Sequence, residues 1–279
     1  MSAQSAVGSI ETIGFPGILA AAHRGILYID EVNRRNPAPE LGSIQATNPC
    51  GEVPLLPFEA CVLGSINLAS IVERGEIDWE GLERLTRLAV RFLDSAIDAN
   101  VFPLPQTREV VMGNRKMGVG VMGFADCLIL CGIPYGSEES LTLADRIAAF
   151  MARVSRQESA DLALALGDFP NIDKTSISSP RRNLTLLSIA PTGTISIIAG
   201  CSSGIEPLYA VSYVRHVMEG AHLTEVSEVF KRVLMERGID PIRILKEARG
   251  LHSIQDIDSV PDHIRRVLLT SHDIPPEAH

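Results

Sequence analysis

The sequence predicts an α/β protein, and three observations support this class. Short apolar runs at 26–30 and 184–189 have the length and composition of buried strands. Between them lie stretches in which apolar residues recur at helical spacing, and no segment is repeated. A chain of 279 residues is also long enough to bury a substantial core. Strands that alternate with helices without an internal repeat are typical of α/β architectures.

The first two elements are a strand and a long loop. Residues 26–30, ILYID, form an apolar run that ends in an acid, which indicates a buried strand whose carboxyl end reaches a site. The stretch 33–59 contains five prolines and two glycines. We therefore expect a long structured loop that is interrupted by short extended pieces.

A long amphipathic helix should follow. Asp78 is placed to cap its N-terminus, and the sequence FPLP ends it near residue 100. Apolar residues recur at helical spacing between these signals. The predicted buried face consists of Leu82, Leu85, Ala89, Phe92 and Ala96.

Two further helices are predicted. One begins near Gly123 and ends at the Gly-Ile-Pro sequence at 132–134. The other begins after Ser137 and runs to about residue 165, with Glu138 and Glu139 in its first turn, where acids complement the helix dipole. Its predicted apolar positions are 141, 144, 147, 148 and 151.

The last third of the chain begins with a strand. Leu184, Leu186 and Ile189 indicate an extended segment that runs into a Pro-Thr-Gly-Thr turn and then an apolar element. From residue 220 on, the pattern is helical and charged, and the end, SHDIPPEAH, is typical of a loop.

Composition limits the classes of partner. The chain is 46% hydrophobic and 21% charged, which is ordinary for a globular protein. Its net charge of −9 argues against a sequence-independent grip on nucleic acid or an anionic membrane, because both need a basic face. MSAQSAVGSIE does not resemble a secretion signal, and no apolar run is long enough to span a bilayer. We expect a cytoplasmic protein whose partners are small molecules or proteins.

The five cysteines do not form an obvious disulfide framework, because their number is odd and no secretion signal accompanies them. Cys127 and Cys131 stand four residues apart, but no further Cys or His lies near at ligand spacing. We therefore predict a pair that faces the core from one helix and no metal site.

Two nucleotide-binding motifs are incomplete. Gly118, Gly120 and Gly123 match G-x-G-x-x-G, but no strand precedes them and no acid ends a second strand, so tight packing at a helix start is the favoured interpretation. RGILYIDEVN, with Asp30 and Glu31, resembles the Walker B segment of magnesium-chelatase-type AAA+ subunits over about 7–33. The chain has no G-x-x-x-x-G-K-[ST] sequence, which argues strongly against ATP hydrolysis.

The sequence PTGTIS suggests an anion site. Thr192, Gly193, Thr194 and Ser196 lie between a strand and an apolar element, where exposed N–H groups and hydroxyls could bind a phosphate. A plain capped turn is the alternative that this pattern leaves open.

The sequence NPCGE places an amide, a thiol and a carboxylate at alternate positions. On an extended strand Asn48, Cys50 and Glu52 would share one face. The thiol is a poor ordinary nucleophile, because the nearby anion raises its pKa and no His stands close in sequence. A Cys that exchanges hydrogen atoms needs no thiolate, and the carboxylate could then act as a general base and the amide as a hydrogen-bond donor. A loop with a buried Cys and exposed polar residues remains the alternative.

Three long stretches resemble signatures of ribonucleotide reductases, most closely those of the adenosylcobalamin-dependent class. They are NRRNPAPELGSIQATNPCGEVPLLPFEACVLGSINLA, NRKMGVGVMGFADCLILCGIPYGSEES and RNLTLLSIAPTGTISIIAGCSSGIEPLYAVSYVRHV. Together they span about 31–217, with a weaker likeness on to 279. The resemblance implies the family's ten-stranded α/β barrel with an internal finger loop, and the reduction of ribonucleotides, as diphosphates or triphosphates, for DNA precursor synthesis.

The resemblance also implies roles for individual residues. Cys50 would be the thiyl radical that abstracts the 3′-hydrogen of the ribose, Glu52 would deprotonate the 3′-hydroxyl, and Asn48 would hydrogen-bond the ribose. Cys61 matches the downstream member of the redox pair. Thr192, Gly193, Thr194 and Ser196 match the substrate-phosphate loop. Adenosylcobalamin is the implied cofactor, although a radical from a separate subunit stays open, and a thioredoxin- or glutaredoxin-like protein is the implied reductant.

The resemblance is partial. The family's upstream redox cysteine has no counterpart, because no Cys precedes Cys50. We expect residues 31–279 to form part of the catalytic barrel domain, residues 1–30 to be an atypical N-terminal segment, and the isolated chain to make no deoxyribonucleotide. The remaining reductase portions or a second copy of the chain are the expected protein partners. A non-catalytic module that binds nucleotide or complements a separate reductase polypeptide, and a relic of an AAA+ ATPase, are the alternatives.

Overall fold

A computed structural model of the chain describes residues 28–216, 222–248 and 253–278. The strands are β1 (Ala46–Thr47), β2 (Pro54–Leu55), β3 (Val62–Asn67), β4 (Val72–Glu73), β5 (Glu76–Ile77), β6 (Met117–Met122), β7 (Ser212–His216) and β8 (His222–Val226). The helices are α1 (Ile29–Arg34), α2 (Trp79–Ala99), α3 (Pro105–Asn114), α4 (Phe124–Cys131), α5 (Glu138–Leu166), α6 (Gly193–Ala199), α7 (Glu228–Met235), α8 (Pro241–Glu247) and α9 (Asp262–Arg265). Short 3₁₀ turns lie at Pro39–Leu41, Leu68–Ile71, Ile172–Lys174 and Pro276–Ala278.

The centre of the fold is a βαβ unit, which confirms the α/β prediction. β3 and β6 are parallel, with Val62 opposite Met117 at one end and Asn67 opposite Met122 at the other. The chain between them returns through α2, which packs on both strands and on α5. A parallel pair needs such a crossover, because its two strands enter from the same edge.

The predicted strand at 184–189 lies beside β6 as an extended segment. Leu187 forms a parallel bridge with Val119, whose N–H donates to the carbonyl of Leu186 at 2.7 Å. Leu184 and Leu186 are buried, whereas Ile189 is half exposed and has left the sheet. The strand prediction is therefore confirmed as a single-bridge segment that ends before residue 189.

The cap of α2 is confirmed, and its predicted buried face is confirmed in part, because Leu82 is buried and Leu85 and Ala89 pack partly buried against the core, whereas Phe92 does not. The Asp78 side chain accepts a hydrogen bond from the Gly81 N–H at 2.9 Å. Phe92 is 69% exposed. The core-facing row includes Thr86, whose hydroxyl is satisfied by the carbonyl of Leu82 at 2.8 Å, so a polar residue is buried there without an unpaired group. That row is Leu82, Thr86, Val90, Leu93 and Ile97.

Helix α4 has the predicted bounds. Gly123 and Gly132 flank it with φ of 72° and 74°, values that favour glycine. Cys127 is fully buried and Cys131 is half-buried, which confirms the core-facing pair. A hydrogen bond with the Cys131 thiol, and then burial, raise the pKa of the Cys127 thiol.

Helix α5 also begins where the sequence predicts. The Ser137 hydroxyl accepts from the N–H of Ser140 at 3.2 Å. Leu141 and Ala148, which the apolar pattern places inside, are exposed, and the buried row is Leu143, Ile147, Met151 and Val154. Across the described ranges, no helix combines the length and apolarity that crossing a bilayer requires.

The predicted strand at 26–30 is wrong for residues 28–30, the part of it that the structure describes. Residues 26 and 27 lie outside the described residues, and α1 begins at Ile29. The side chain of Asn33 holds this helix against the loop, because it both donates to and accepts from the backbone of Ile44, at 2.9 and 2.7 Å. Asp30 and Glu31 fall in the first helical turn rather than at a strand end, so the Walker B comparison has no structural support.

The region after residue 210 contains a hairpin that the sequence pattern did not predict. β7 and β8 pair antiparallel, with Ser212 opposite Val226, and residues 217–221 between them lie outside the described residues. The helical and loop character predicted beyond it is confirmed by α7, α8 and α9. These helices form a second core with α4, which includes Ile129, Phe230, Leu234, Ile244 and Ile264.

Glycines inside β6 allow the extended segment to approach closely. A Cβ at Gly120 would overlap the carbonyl oxygen of Ser188, and one at Gly118 would meet the Ser188 side chain and that of Leu63. Gly118 and Gly120 thus lie within a strand, whereas a dinucleotide site would have them after it. The predicted tight backbone packing is confirmed, but its predicted place at a helix start holds only for Gly123.

We expect Gly120→Ala to destabilise the chain by about 3 kcal/mol, because the added methyl group meets backbone that cannot rotate away. Chemical denaturation of the wild type and the variant measures this loss. Gly193→Ala is the matched control, since nothing lies within 4 Å of the position that its Cβ would occupy. An equal loss in both variants would contradict the close-approach explanation.

Candidate active site

The sequence NPCGE forms the turn of a β-hairpin, not a straight strand. β1 and β2 pair antiparallel, and residues 48–53 connect them. The Asn48 N–H donates to the carbonyl of Val53 at 3.2 Å, and the Asn48 side-chain oxygen accepts from the Val53 N–H at 3.0 Å. Gly51, at φ 88°, makes the reversal possible. The expected one-face alternation of the amide, thiol and carboxylate on an extended strand is therefore wrong, because all three residues lie on the turn between the two strands.

The three side chains differ in environment. Cys50 is exposed at the tip of the hairpin. Glu52 is half-buried, and its Oε2 is fully buried without a hydrogen-bond partner in the described structure. The carbonyl of Glu52 accepts from the Ser188 hydroxyl at 3.3 Å, which places the tip over the extended segment beside β6. A free thiol and an unsatisfied carboxylate oxygen thus lie on one short turn.

A buried polar cluster fixes the base of this hairpin, and no sequence pattern indicated it. Lys116 donates to the carboxylate of Glu59 at 2.7 Å and to the carbonyl of Pro54 at 3.2 Å. Asn114 donates to the other oxygen of Glu59 at 2.7 Å, and the Leu56 N–H donates to the first at 2.8 Å. We call Glu59, Asn114 and Lys116 the base cluster. No spacing rule links residues 59 and 116, so only the fold reveals it.

The neighbour of Lys116 points to the other side of the sheet. Arg115, which is 2% exposed, donates to Asp94 at 2.9 Å and to Asp98 at 2.7 Å on α2. Arg115 and Lys116, the two residues just before β6, therefore tie this end of the strand to α2 and to the hairpin, respectively. These contacts fix where the hairpin stands relative to the central unit.

Cys61 lies at the base of the hairpin, next to the start of β3. Its thiol donates weakly to the carbonyl of Val62 at 3.5 Å. Burial is the main cause that raises the pKa of the Cys61 thiol to about 12, and the carboxylates of Glu59 and Glu52 raise it further. Lys116 acts in the opposite direction. Both carboxylates are therefore close enough to act on this thiol.

The sequence PTGTIS runs from a turn at Pro191 and Thr192 into the first residues of the seven-residue helix α6. Thr192 adopts a left-handed φ of 56°, and its hydroxyl oxygen accepts from the Gly204 N–H at 2.8 Å. The Ser196 hydroxyl lies 3.0 Å from that of Ser203. Thr192 and Ser196 are buried and fix the loop, whereas Gly193 and Thr194 are exposed. An anion could therefore be bound by the exposed backbone at Gly193 and the Thr194 hydroxyl rather than by the buried hydroxyls of Thr192 and Ser196.

Asp126 is a second residue that no sequence pattern indicated. Its carboxylate, 4% exposed, accepts from the Ser202 N–H at 2.7 Å and borders a cavity of about 400 Å³ behind α6. Burial raises the pKa of this carboxyl from 3.8 to about 6, and the Ser202 hydrogen bond only partly opposes it. A single acid inside an apolar helix gives no pattern from which its burial could be predicted.

We expect Asp126→Asn to remove a pH-dependent part of the stability. Because the folded pKa lies above the unfolded one, this group stabilises the fold below about pH 4 and loses that contribution as pH rises to about 6. The wild type should lose about 3 kcal/mol relative to the variant across this window. Denaturation at several pH values measures the difference, and Asp145→Asn, at an exposed position, is the control. Parallel pH curves for wild type and D126N would contradict the expectation.

Comparison with known proteins gives consistent matches. The family described as "Ribonucleotide reductase, barrel domain" matches residues 16–181 and 174–279. The chain is 42% identical over 271 residues to a vitamin B12-dependent ribonucleoside-diphosphate reductase of Mycobacterium tuberculosis (strain CDC 1551 / Oshkosh), covering 95% of the chain and 39% of the relative. It is 43% identical over 264 residues to a protein of the same name from Thermoplasma acidophilum, covering 92% and 34%.

A solved structure agrees with these sequence matches. The alpha subunit of the Actinobacillus ureae class Id ribonucleotide reductase superposes with a TM-score of 0.64 at 25% identity, covering 82% of the chain and 42% of that subunit. The chain thus spans about two fifths of the length of the relatives that it matches.

Proposed function

This chain belongs to the ribonucleotide reductase family, through that family's barrel domain, and we propose that it supplies the radical-bearing hairpin of a B12-dependent ribonucleoside-diphosphate reductase. The observation that supports this most directly is the turn 48–53, which carries both the exposed thiol of Cys50 and a carboxylate oxygen of Glu52 that lacks a hydrogen-bond partner in the described structure. The product would be a deoxyribonucleotide for DNA synthesis.

In this proposal the hairpin residues act on the ribose. The Cys50 radical takes the 3′-hydrogen atom, and Glu52 takes the proton of the 3′-hydroxyl, for which its Oε2 has free acceptor capacity. The side-chain oxygen of Asn48 is used by the turn, which leaves its amide nitrogen to donate to the sugar. Each group thus has one task that its hydrogen bonds permit.

Cys61 would provide reducing equivalents from the base of the hairpin. Replacing one C–OH by C–H and releasing water consumes two electrons and two protons. Two thiols supply both when they close to a disulfide, so Cys61 needs a second thiol, and an external dithiol protein of the thioredoxin or glutaredoxin type would reopen the bond. The remaining reductase portions, or a second copy, would be its protein partners.

The loop before α6 would bind the substrate phosphates. Gly193 and Thr194 present the exposed start of the helix, while Thr192 and Ser196 hold the loop in its left-handed geometry. Backbone N–H groups at such a position favour an anion. The extended segment 184–188 connects this loop to the hairpin through Ser188 and Glu52.

Adenosylcobalamin fits the exposed position of Cys50, because a bulky cofactor could reach this thiol from outside the hairpin. When bound, it would supply the unpaired electron that Cys50 needs. The names of the bacterial and archaeal relatives, which are called vitamin B12-dependent, support this choice.

A segment exchange tests the proposed function. The aligned 271-residue segment of the Mycobacterium tuberculosis relative is replaced by that of this chain. We expect the exchanged enzyme to reduce a ribonucleoside diphosphate with adenosylcobalamin and a dithiol. The isolated 279-residue chain, assayed in parallel, should make no product. Nucleotide binding without turnover in the exchanged enzyme would favour the non-catalytic alternative.

A further inference from the structure

Cys61 and Lys116 are neighbours because of the strand register. Val62 and Met117 are the first paired residues of the parallel strands β3 and β6. Cys61 and Lys116 each precede one of them by a single residue, so both lie at the same end of this strand pair. Adjacent strands lie about 4.8 Å apart, which brings the ammonium group within electrostatic reach of the thiol.

The charge on Lys116 is already balanced by Glu59. The side chains of the two residues are 4% and 0% exposed, and their 2.7 Å contact is reinforced by the bond from Lys116 to Pro54. Glu59 is also held by Asn114 and Leu56, so both of its oxygens are engaged. Glu59 lies only two residues before Cys61. The thiol is therefore close to both the carboxylate and the ammonium group of this ion pair.

One cation and two carboxylates act on the thiol. Lys116 is the cation that favours the thiolate, whereas Glu59 and Glu52 disfavour it together with burial. Without Glu59, the thiol would face one cation, Lys116, and one acid, Glu52. The carboxylate of Glu59 is thus placed to cancel the activating effect that a buried lysine ordinarily has on a cysteine.

We propose that Glu59 and Lys116 are positioning residues for the redox thiol, which hold Cys61 at the hairpin base as a charge-balanced pair and keep it protonated. The benefit of keeping Cys61 protonated rests on the proposed function. A neutral Cys61 retains the hydrogen that the substrate step consumes, and it is a poor target for stray electrophiles and oxidants, which attack thiolates. The role of the pair is electrostatic as well as mechanical.

A purely mechanical role makes a different prediction. If the pair only anchored the hairpin, removing one partner would expose Cys61, and removing both would expose it at least as much. If charge balance matters, removing Glu59 alone should activate the thiol, and removing Lys116 as well should reverse the activation. Lys116→Met alone is less informative, because it would leave a buried unpaired carboxylate.

The test is the rate at which iodoacetamide alkylates Cys61 in the 279-residue chain, followed by mass spectrometry of the Cys61 peptide over a range of pH. We expect Glu59→Gln to raise the rate near neutral pH by about tenfold and to lower the midpoint of the pH profile. The double variant E59Q/K116M should return to within about threefold of wild type, whereas E59Q/K116R, which keeps the cation, should stay fast.

Cys127 reports on folding in the same samples, because it is fully buried and should stay unmodified in every folded variant. An unchanged rate in E59Q, or a double variant that reacts as fast as E59Q or faster, would overturn the proposal. Neither the alkylation of Cys61 nor that of Cys127 depends on enzyme turnover. Loss of activity in the exchanged enzyme would therefore count against the proposed function and leave the charge-balanced pair to be judged by alkylation alone.

Discussion

Cys50→Ser should abolish ribonucleotide reduction in the exchanged enzyme, with a loss of more than about a thousandfold in kcat. A serine hydroxyl is isosteric with the thiol but holds its hydrogen far too strongly to act as a radical carrier. The turn itself should persist, because Asn48 and Gly51 hold it and the Cys50 side chain is exposed. Product formation from a labelled ribonucleoside diphosphate measures the effect.

Cys131→Ser is the matched control for this loss. Cys131 is half-buried on α4, away from the hairpin, and its replacement should leave turnover within about threefold of the parent. Substrate affinity should be unchanged in C50S, which separates loss of chemistry from loss of binding. Turnover above a tenth of the parent value in C50S would show that another residue carries the radical.

Glu52→Gln should lower kcat by about 10² to 10⁴ without a comparable change in KM, since an amide keeps the shape of the side chain but cannot accept a proton. The unpartnered Oε2 is the structural reason for this expectation, because no hydrogen bond in the described structure uses it for another purpose. Steady-state kinetics of the exchanged enzyme separates the two constants.

Glu40→Gln provides the comparison for that variant. Glu40 lies in the same long loop but is exposed, and its neutralisation changes the net charge by the same amount. Its kcat should match that of the parent. A loss of less than tenfold in E52Q would remove Glu52 from the role of general base.

Local signals predicted where α2, α4 and α5 begin. Asp78 was identified as a cap and Ser137 as the residue after which a helix starts, and both side chains accept a capping backbone hydrogen bond. Capping depends on residues within one turn, so a single sequence contains the information. The extended segment that begins at residue 184 was also predicted, because apolar residues dominate this short stretch, although it ends before residue 189.

The wrong predictions have a common physical cause, which is contact between residues that are distant in sequence. Phe92 was placed in the core because it is apolar, but the orientation of α2 is decided by β3, β6 and α5, which are distant in sequence. The run 26–30 looked like a strand, but Asn33 holds Ile44 and selects a helix instead. Tertiary contacts of this kind override local preference and leave no trace in spacing.

The candidate site likewise contains residues that the sequence identified and residues that only the fold reveals. Asn48, Cys50 and Glu52 were identified from their neighbourhood in sequence, although their arrangement was predicted as a strand rather than a turn. The base cluster was missed because Glu59 and Lys116 are separated by the whole crossover. Their roles in chemistry stay predictions until the variants are measured.

The buried pair of Glu59 and Lys116 also bears on how the two parallel strands find each other. β3 and β6 are brought together from positions 55 residues apart, a slow kind of pairing in which register errors compete. A slip of one residue would invert the facing of every side chain on the strand and separate the two charges. Because an unpaired buried carboxylate costs several kcal/mol, we expect β3 and β6 to separate again when they pair in a wrong register, before the rest of the chain packs around them. The ion pair would thus favour the correct register of β3 and β6 during folding.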